Sequence, residues 1–187
     1  NQGVVILATH RLVGNLERFD PAAFVEAAAR DFALTAYRFD SGQAKADALA
    51  KALAHSRAEH ESGENAFTIY CGDGSFYVAV LKNPGAMASA APEKSRAWRS
   101  LDVAVLQKLV LEKLFCISES QLARGDKVEY VRDMGTAVDD AIAAVDRKEK
   151  QVLFLMNPTR WEQIKAVTDA GERMPQKSTY FLSLIHI

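Results

Sequence analysis

The chain has 187 residues, of which 49% are hydrophobic and 25% charged, with a formal net charge of -1. This composition is typical of one globular domain, or two small ones, with enough apolar residues for a core that needs no disulfide or metal. Lys and Arg are spread along the chain, which argues against nucleic-acid binding through a basic face, and no apolar run is long enough to cross a membrane.

The first third of the chain predicts a strand, a helix, a second strand and a long helix. Val4 to Ala8 is an apolar, β-branched run typical of a buried strand. Asp20 suits an N-cap and Pro21 suits the first helical position, and apolar residues then repeat at helical spacing. The alternation of "LTAYRF" predicts a half-buried strand, and the Ala-rich residues 43–61 predict a surface helix.

The middle of the chain carries a hairpin signal and a buried helix. Residues 66–81, "AFTIYCGDGSFYVAVL", are two aromatic and β-branched runs separated by "CGDG". Residues 82–97 mix Pro, Gly, Ala and Ser without a period, which indicates a loop. The stretch "LDVAVLQKLVLEKLF" is apolar around most of a helical circumference, which predicts a helix buried on more than one side.

The last third alternates strands and helices. Strands are predicted at "KVEYVR" and "QVLFLM", and helices over residues 136–147 and 159–170. Strand–helix–strand order indicates a βαβ unit with parallel pairing, whereas the hairpin indicates antiparallel pairing. The sequence therefore predicts an α/β fold of mixed α+β type, in which a mixed sheet has a β-hairpin and a C-terminal βαβ unit, with helices packed on the sheet.

Polar residues follow the first predicted strand. The Arg11 guanidinium suits a phosphate or a carboxylate, and Thr9 and His10 offer further donors or an acceptor. The alternative is structural: Arg11 pairs with an acidic neighbour such as Asp20, and His10 is a satisfied interior imidazole. A His beside an Arg is expected to be neutral, because the cation disfavours protonation.

A second polar segment, "NPTRWE", joins the last predicted strand to a helix. Thr159 and Glu162 have capping-box spacing, which predicts that they satisfy backbone N–H groups. A helix N-terminus that follows a strand also attracts phosphate or carboxylate, so Asn157 and Thr159 are candidate anion ligands. The two interpretations are compatible, because capping uses only some of the free donors.

A third polar segment lies near the end of the sequence, in "RMPQKSTYF". If it is extended, Lys177 and Thr179 share one face, and Ser178 and Tyr180 share the other. The segment is then either part of a polar site or a solvated edge strand.

Other catalytic and metal patterns are weak. His55 and His60 are five residues apart, whereas a metal on one helix face needs a spacing of four, so no metal site is predicted. No GxSxG or P-loop occurs.

Cys71 and Cys116 form no CxxC pair and are typical of reduced thiols, and the lack of a signal peptide favours a cytoplasmic protein.

Four segments in order, "VVILATHRLVGNLERFD", "LDVAVLQKLVLEKLF", "VEYVRDMGTAVDDAI" and "LFLMNPTRWEQIKAVTDAGERMPQKSTYF", resemble the second half of the bacterial domain-of-unknown-function-1015 family. The resemblance covers Val4 to Phe181. Full-length relatives are linked to ParB-like and free serine kinase-like proteins, and a function inferred from this link rests on analogy.

The resemblance implies a phosphotransferase that acts on a small hydroxyl substrate such as free serine. It implies a nucleotide or pyrophosphate as phosphate donor, Mg²⁺ held by the other half of the protein, a small-molecule ligand and no membrane. The candidate phosphate or substrate ligands are Thr9, His10, Arg11, Asn157, Thr159, Lys177, Ser178 and Thr179. The rival hypothesis is a ligand- or partner-binding domain without chemistry, with a ParB-like regulatory role.

The resemblance also sets expectations for the ends of the chain. Family members carry an Asp-Gly-His-His-Arg type segment in a preceding half, and continue after Tyr-Phe into an aromatic-Pro-Lys stretch. Residues 1–181 are therefore expected to be one domain, the distal fragment of a longer protein. Residues 182–187, "LSLIHI", are expected to be a non-native tail. The fragment is expected to be inactive by itself.

Overall fold

The computed structural model describes residues 3–183. The strands in this range form two antiparallel sheets. The strands are β1 (Val4–Leu7), β2 (Thr9–Val13), β3 (Phe32–Arg38), β4 (Ala66–Tyr70), β5 (Ser75–Leu81), β6 (Val128–Arg132), β7 (Val152–Leu155) and β8 (Tyr180–Ser183). The helices are α1 (Pro21–Ala28), α2 (Gly42–Glu61), α3 (Gly85–Ala90), α4 (Arg96–Arg99), α5 (Asp102–Leu106), α6 (Glu119–Arg124), α7 (Ala137–Asp146) and α8 (Trp161–Asp169). A π-helical segment, Gln107–Glu112, continues α5.

The larger sheet has the strand order β3-β5-β4-β7-β2-β6, and each neighbouring pair is antiparallel. The mixed α+β class and the β4–β5 hairpin are confirmed, with helices packed on the sheet. Strands β6 and β7 run in the same direction because both are antiparallel to β2, which lies between them, and α7 connects them. The expected parallel pairing is therefore wrong, since an early strand occupies the position between the two strands of the βαβ unit.

The predicted first strand is divided at Ala8. Strand β1 leaves the large sheet and pairs with β8, and its Val4 and Val5 are 36% and 38% exposed. All five residues of β2 are buried, including Thr9, His10 and Arg11. The prediction that these polar residues follow a buried strand is thus wrong, because they form the buried strand itself. Inside the protein, Arg11 donates to two backbone carbonyls and Nδ1 of His10 accepts a backbone N–H.

Helices cover both faces of the large sheet and form two cores. Helices α2 and α7 pack on one face, where Ala52 and Ile142 meet Leu153 and Leu155 of β7. The other helices pack on the opposite face around Phe154. The alternation of β7 therefore directs successive side chains into different cores.

Several predicted boundaries differ from the structure. Residues 82–97, expected to be a loop, include α3 and the start of α4. The last helix begins at Trp161 rather than Thr159. No helix among residues 3–183 is both long enough and apolar enough to cross a membrane. Of the tail expected over residues 182–187, Leu182 and Ser183 belong to β8, and residues 184–187 lie outside the described residues.

Candidate functional site

A cavity of about 780 Å³ lies along β6, which is one of the two edge strands of the large sheet. Thr9 of β2 lines it, and so do Lys177 and Thr179 from the segment that leads into β8. Strand β6 contributes Glu129, Tyr130 and Arg132, and α7 contributes Asp140 and small alanine side chains, while Glu149 and Lys150 complete the charged part of the lining. The cavity therefore combines residues from both ends of the chain with a strand from its middle.

Arg11 lies buried beside this cavity and is only 3% exposed. Its guanidinium donates hydrogen bonds to the carbonyl oxygen of Thr9 and, over 3.3 Å, to the carbonyl oxygen of Lys177. Burial lowers the pKa of Arg11 to about 10, so the group stays protonated at neutral pH. Its partners are backbone carbonyls and an aromatic ring, not the Asp20 carboxylate considered from the sequence, because that carboxylate caps α1.

The Tyr130 ring joins Arg11 to Lys177. The guanidinium carbon of Arg11 lies 5.1 Å from the ring centroid, and Nζ of Lys177 lies 4.8 Å from it. Both contacts are within the range of cation–π attraction. Arg132 makes a similar contact with Tyr180, at 4.1 Å from guanidinium carbon to ring centroid.

The cations at this cavity are held by aromatic rings rather than by carboxylates. Within residues 3–183, no Asp or Glu oxygen lies within 4.0 Å of a side-chain nitrogen of Lys177 or Arg132. The other lining cation, Lys150, pairs with Glu129 at 3.6 Å. Among the described residues, Lys177 and Arg132 are therefore cations without a carboxylate partner, in a lining that also contains Glu129, Asp140 and Glu149.

His10 does not line the β6 cavity. Its Nδ1 accepts the backbone N–H of Met156 over 2.9 Å, so the proton of the neutral ring lies on Nε2, which is 3.8 Å from an oxygen of Asp133. Burial lowers the pKa of His10, Arg11 lowers it further, and Asp133 opposes both. The expected neutral state agrees with this direction, although burial rather than the neighbouring arginine is the main cause.

Asn157 and Thr159 lie away from the β6 cavity. The Asn157 amide donates to Oγ of Ser56 over 3.0 Å and to the carbonyl oxygen of Ala66 over 3.2 Å. Thr159 lines a separate cavity of about 340 Å³. The predicted capping box of Thr159 and Glu162 is replaced by a single bond one residue later, in which the Gln163 side chain accepts the backbone N–H of Arg160; the arginine side chain has no acceptor with which to complete a box.

The third polar segment is not an extended strand before Tyr180, where β8 begins. Lys177 adopts a left-handed conformation with φ of 52°, and Ser178 after it is buried. Lys177 and Thr179 line the β6 cavity whereas Ser178 does not. Of the eight predicted ligands, the structure brings together Thr9, Arg11, Lys177 and Thr179, and it separates His10, Asn157, Thr159 and Ser178 from the cavity itself.

Sequence reasoning missed Tyr130 and Arg132. Both lie in the predicted strand "KVEYVR", where their spacing of two places them on one face. A Tyr and an Arg two residues apart on a strand would have been the available signal, but that signal does not indicate which other segment faces them.

The chain is an antiparallel α+β domain with a polar cavity at one edge of its larger sheet, whose lining carries both cationic and acidic side chains. Residues 1–104, more than half of the chain, match the family described as "Protein of unknown function (DUF1015)", and the chain belongs to that family. No protein with a curated description matches it significantly.

Solved structures with partial similarity have low sequence identity to the chain. A free serine kinase in complex with AMP is 14% identical with a TM-score of 0.45, and the alignment covers 98% of this chain and 56% of that one. A variant of free serine kinase in complex with ADP is 13% identical, with a TM-score of 0.45 and the same coverages of 98% and 56%. A conserved hypothetical protein from Pyrococcus furiosus is 16% identical, with a TM-score of 0.42 and coverages of 98% and 58%. The chain thus spans little more than half the length of these structures.

Proposed function

We propose that this chain is the distal part of a phosphotransferase, and that the β6 cavity binds phosphoryl oxygens of the donor or of a small hydroxyl substrate such as free serine. The observation that carries the proposal is the convergence of Lys177 and Arg132 on one cavity without carboxylate partners, beside the buried charge of Arg11. Thr9 and Thr179 add polar groups to the same lining.

This arrangement suits phosphoryl transfer because that reaction depends mainly on positioning and on neutralising negative charge. Lys177 is placed to contact a phosphoryl oxygen directly. Arg11 fixes the backbone of Lys177 by hydrogen bonding its carbonyl oxygen, and Tyr130 limits where the ammonium lies. The proposal assigns the phosphate donor, a nucleotide or pyrophosphate, and any Mg²⁺ and general base to a complete site that extends beyond this chain.

The proposal is tested by measuring pyrophosphate binding to the chain and to Lys177→Gln by calorimetry and thermal shift. Loss of one charge-assisted contact, worth about 1.5–3 kcal/mol, is expected to raise Kd about tenfold or more. In the thermal-shift measurement, pyrophosphate at about 100 times Kd is expected to stabilise the wild type by about 2.7 kcal/mol.

Lys51→Gln is the matched control, since Lys51 is exposed on α2 and does not line the cavity. Equal Kd values for the two variants, or no binding by the wild type, would contradict the phosphate site.

In an intact relative, the residues that align with Lys177 and Arg11 are then replaced and serine phosphorylation is measured. If the unmodified relative binds pyrophosphate but phosphorylates no serine, that result would favour the rival ligand-binding domain.

A further inference from the structure

A second cavity, of about 340 Å³, lies where α2 ends and α8 begins. It shares no lining residue with the β6 cavity, and its lining includes Arg57, His60, Thr159, Arg160 and Glu162. The sequence singled out Thr159 as a candidate anion ligand, but it gave no reason to connect that residue with His60. The proposed phosphotransfer at β6 does not use this cavity.

His60 is held by a buried carboxylate. Its Nδ1 lies 2.7 Å from Oδ2 of Asp102, and the two side chains are only 6% and 5% exposed. The other Asp102 oxygen accepts a hydrogen bond from the Asn65 amide over 2.8 Å. Because a carboxylate only accepts, Nδ1 carries the proton, and the neutral ring presents a lone pair at Nε2.

That Nε2 is enclosed and has no hydrogen-bond partner within residues 3–183. A buried polar nitrogen without a partner is costly, and such groups normally bind protein, water or ligand. His60 lines the cavity, so a ligand that enters it and displaces the atoms covering Nε2 can supply the missing partner. The Asp102 bond prevents Nδ1 from serving instead.

The remaining lining favours an oxyanion. Formal charges balance, with two arginines and two glutamates, and Arg57 pairs with Glu61 at 3.2 Å. The N-terminus of α8, a helix of nine residues, then adds its partial positive charge and its free N–H groups. Arg160 donates from Nη1 to the carbonyl oxygen of His60 over 3.1 Å, which places its guanidinium at the same cavity.

We propose that this cavity is a second ligand site, specific for a small oxyanion that also carries an O–H group. The O–H donates to Nε2 of neutral His60, and the anionic oxygens accept hydrogen bonds from Arg160 and the first turn of α8. Hydrogenphosphate and phosphate monoesters in their singly protonated form have this chemistry. Sulfate has the same shape but no proton to donate, so the site discriminates against it.

The test uses the whole chain and follows the imidazole nitrogens by long-range proton–nitrogen NMR. The spectrum identifies the protonated nitrogen of each His, so the titrations are run at a pH where it shows His60 to be neutral with its proton on Nδ1. Inorganic phosphate is expected to shift the Nε2 signal of His60 saturably, while sulfate at equal ionic strength leaves it unchanged. His55, which lies on the same helix outside the cavity, is the internal control.

Arg160→Gln is expected to weaken phosphate binding at His60 about tenfold or more, since it removes a charged donor but keeps the backbone N–H that Gln163 accepts. Arg30→Gln, which removes an exposed arginine outside the cavity, is expected to leave it unchanged. A His60 signal that responds to neither anion, that responds equally to both, or that shows a proton on Nε2 of the neutral ring would overturn the proposal.

Discussion

Individual side chains at the β6 cavity are held by atoms that carry no full negative charge. Arg11 is bound by two backbone carbonyls and the Tyr130 ring, and Lys177 is bound by the same ring. A carboxylate partner would neutralise these cations, whereas a carbonyl or an aromatic face fixes their position and leaves most of their charge. In the proposed function, Lys177 is the group of this set that contacts the anionic ligand, and Arg11 holds the backbone beside it.

His10 makes stability depend on pH. Burial lowers its pKa in the folded protein from the ordinary value of 6.5, so as pH falls the unfolded chain takes up the proton first. Stability is therefore complete above about pH 6.5 and decreases below it, by up to about 1.4 kcal/mol per pH unit for this one group. The His10→Gln variant is expected to lose less stability than the wild type between about pH 7.5 and pH 5 in urea unfolding.

His55→Gln is the control for that measurement, because the His55 side chain is 26% exposed. A change in pH dependence that occurs in His10→Gln and not in His55→Gln is assigned to the buried imidazole. If His10→Gln and the wild type lose stability in parallel over this range, the buried imidazole does not take up a proton on unfolding, and the assigned direction of its pKa shift is wrong.

At the scale of elements, the connection between β7 and α8 is fixed by Asn157. Its amide bonds Ser56 of α2 and Ala66 of β4, so one side chain ties three elements together. A group already committed to several hydrogen bonds is poorly suited to release them for a ligand. The sequence alone left both a structural role and a ligand role open here, because Asn-Pro-Thr between a strand and a helix is compatible with both.

Asn157→Ala is expected to lower the free energy of unfolding by about 1–3 kcal/mol, since it leaves buried acceptors without their donor. The pyrophosphate affinity of the β6 cavity is expected to remain unchanged, because Asn157 does not line it. Urea unfolding and calorimetry measure the two quantities separately. Asn83→Ala, which removes one hydrogen bond to Gly85 in an exposed turn, is the control for loss of an amide.

A large loss of pyrophosphate affinity in Asn157→Ala with little change in stability would instead establish Asn157 as a ligand. That result would also require the β7–α8 connection to move toward the β6 cavity when ligand binds.

At the scale of the whole molecule, two cores on opposite faces of one sheet must form together. Phe154 lies fully buried on one face, with Phe24, Phe67 and Phe115 around it at ring-centroid distances of 6.1, 6.0 and 6.2 Å. Its neighbours Leu153 and Leu155 lie in the other core. Strand β7 thereby couples the two layers of helices.

Phe154→Ala is expected to lower the free energy of unfolding by about 3–5 kcal/mol, because it removes apolar contacts and leaves a cavity. Phe154→Leu keeps most of the volume and is expected to cost about half as much or less. Both are compared with the wild type by urea unfolding, and a single transition is expected in each case. Equal, small effects of the two substitutions would show that the aromatic cluster contributes little.

Local patterns predicted most elements because periodicity and capping act over a few residues. The Asp20 cap of α1, the β4–β5 hairpin and the β6–α7–β7 succession are all found where the sequence indicates them. The apolar run at Val4 was misread, since it resembles a buried strand but pairs only with β8. Burial of β2 depends on partners for its polar groups, which lie more than 100 residues away.

The sequence by itself determined the class of fold, the family and the residue types suited to an anion. Only the tertiary structure decided that β2 lies between β6 and β7, and that Arg11 meets the backbone of Lys177, 166 positions later in the chain. The physical reason is that helix and strand periodicity is a local property, whereas strand order is set by how the whole chain buries its apolar faces. The position of the β6 cavity is a consequence of that order.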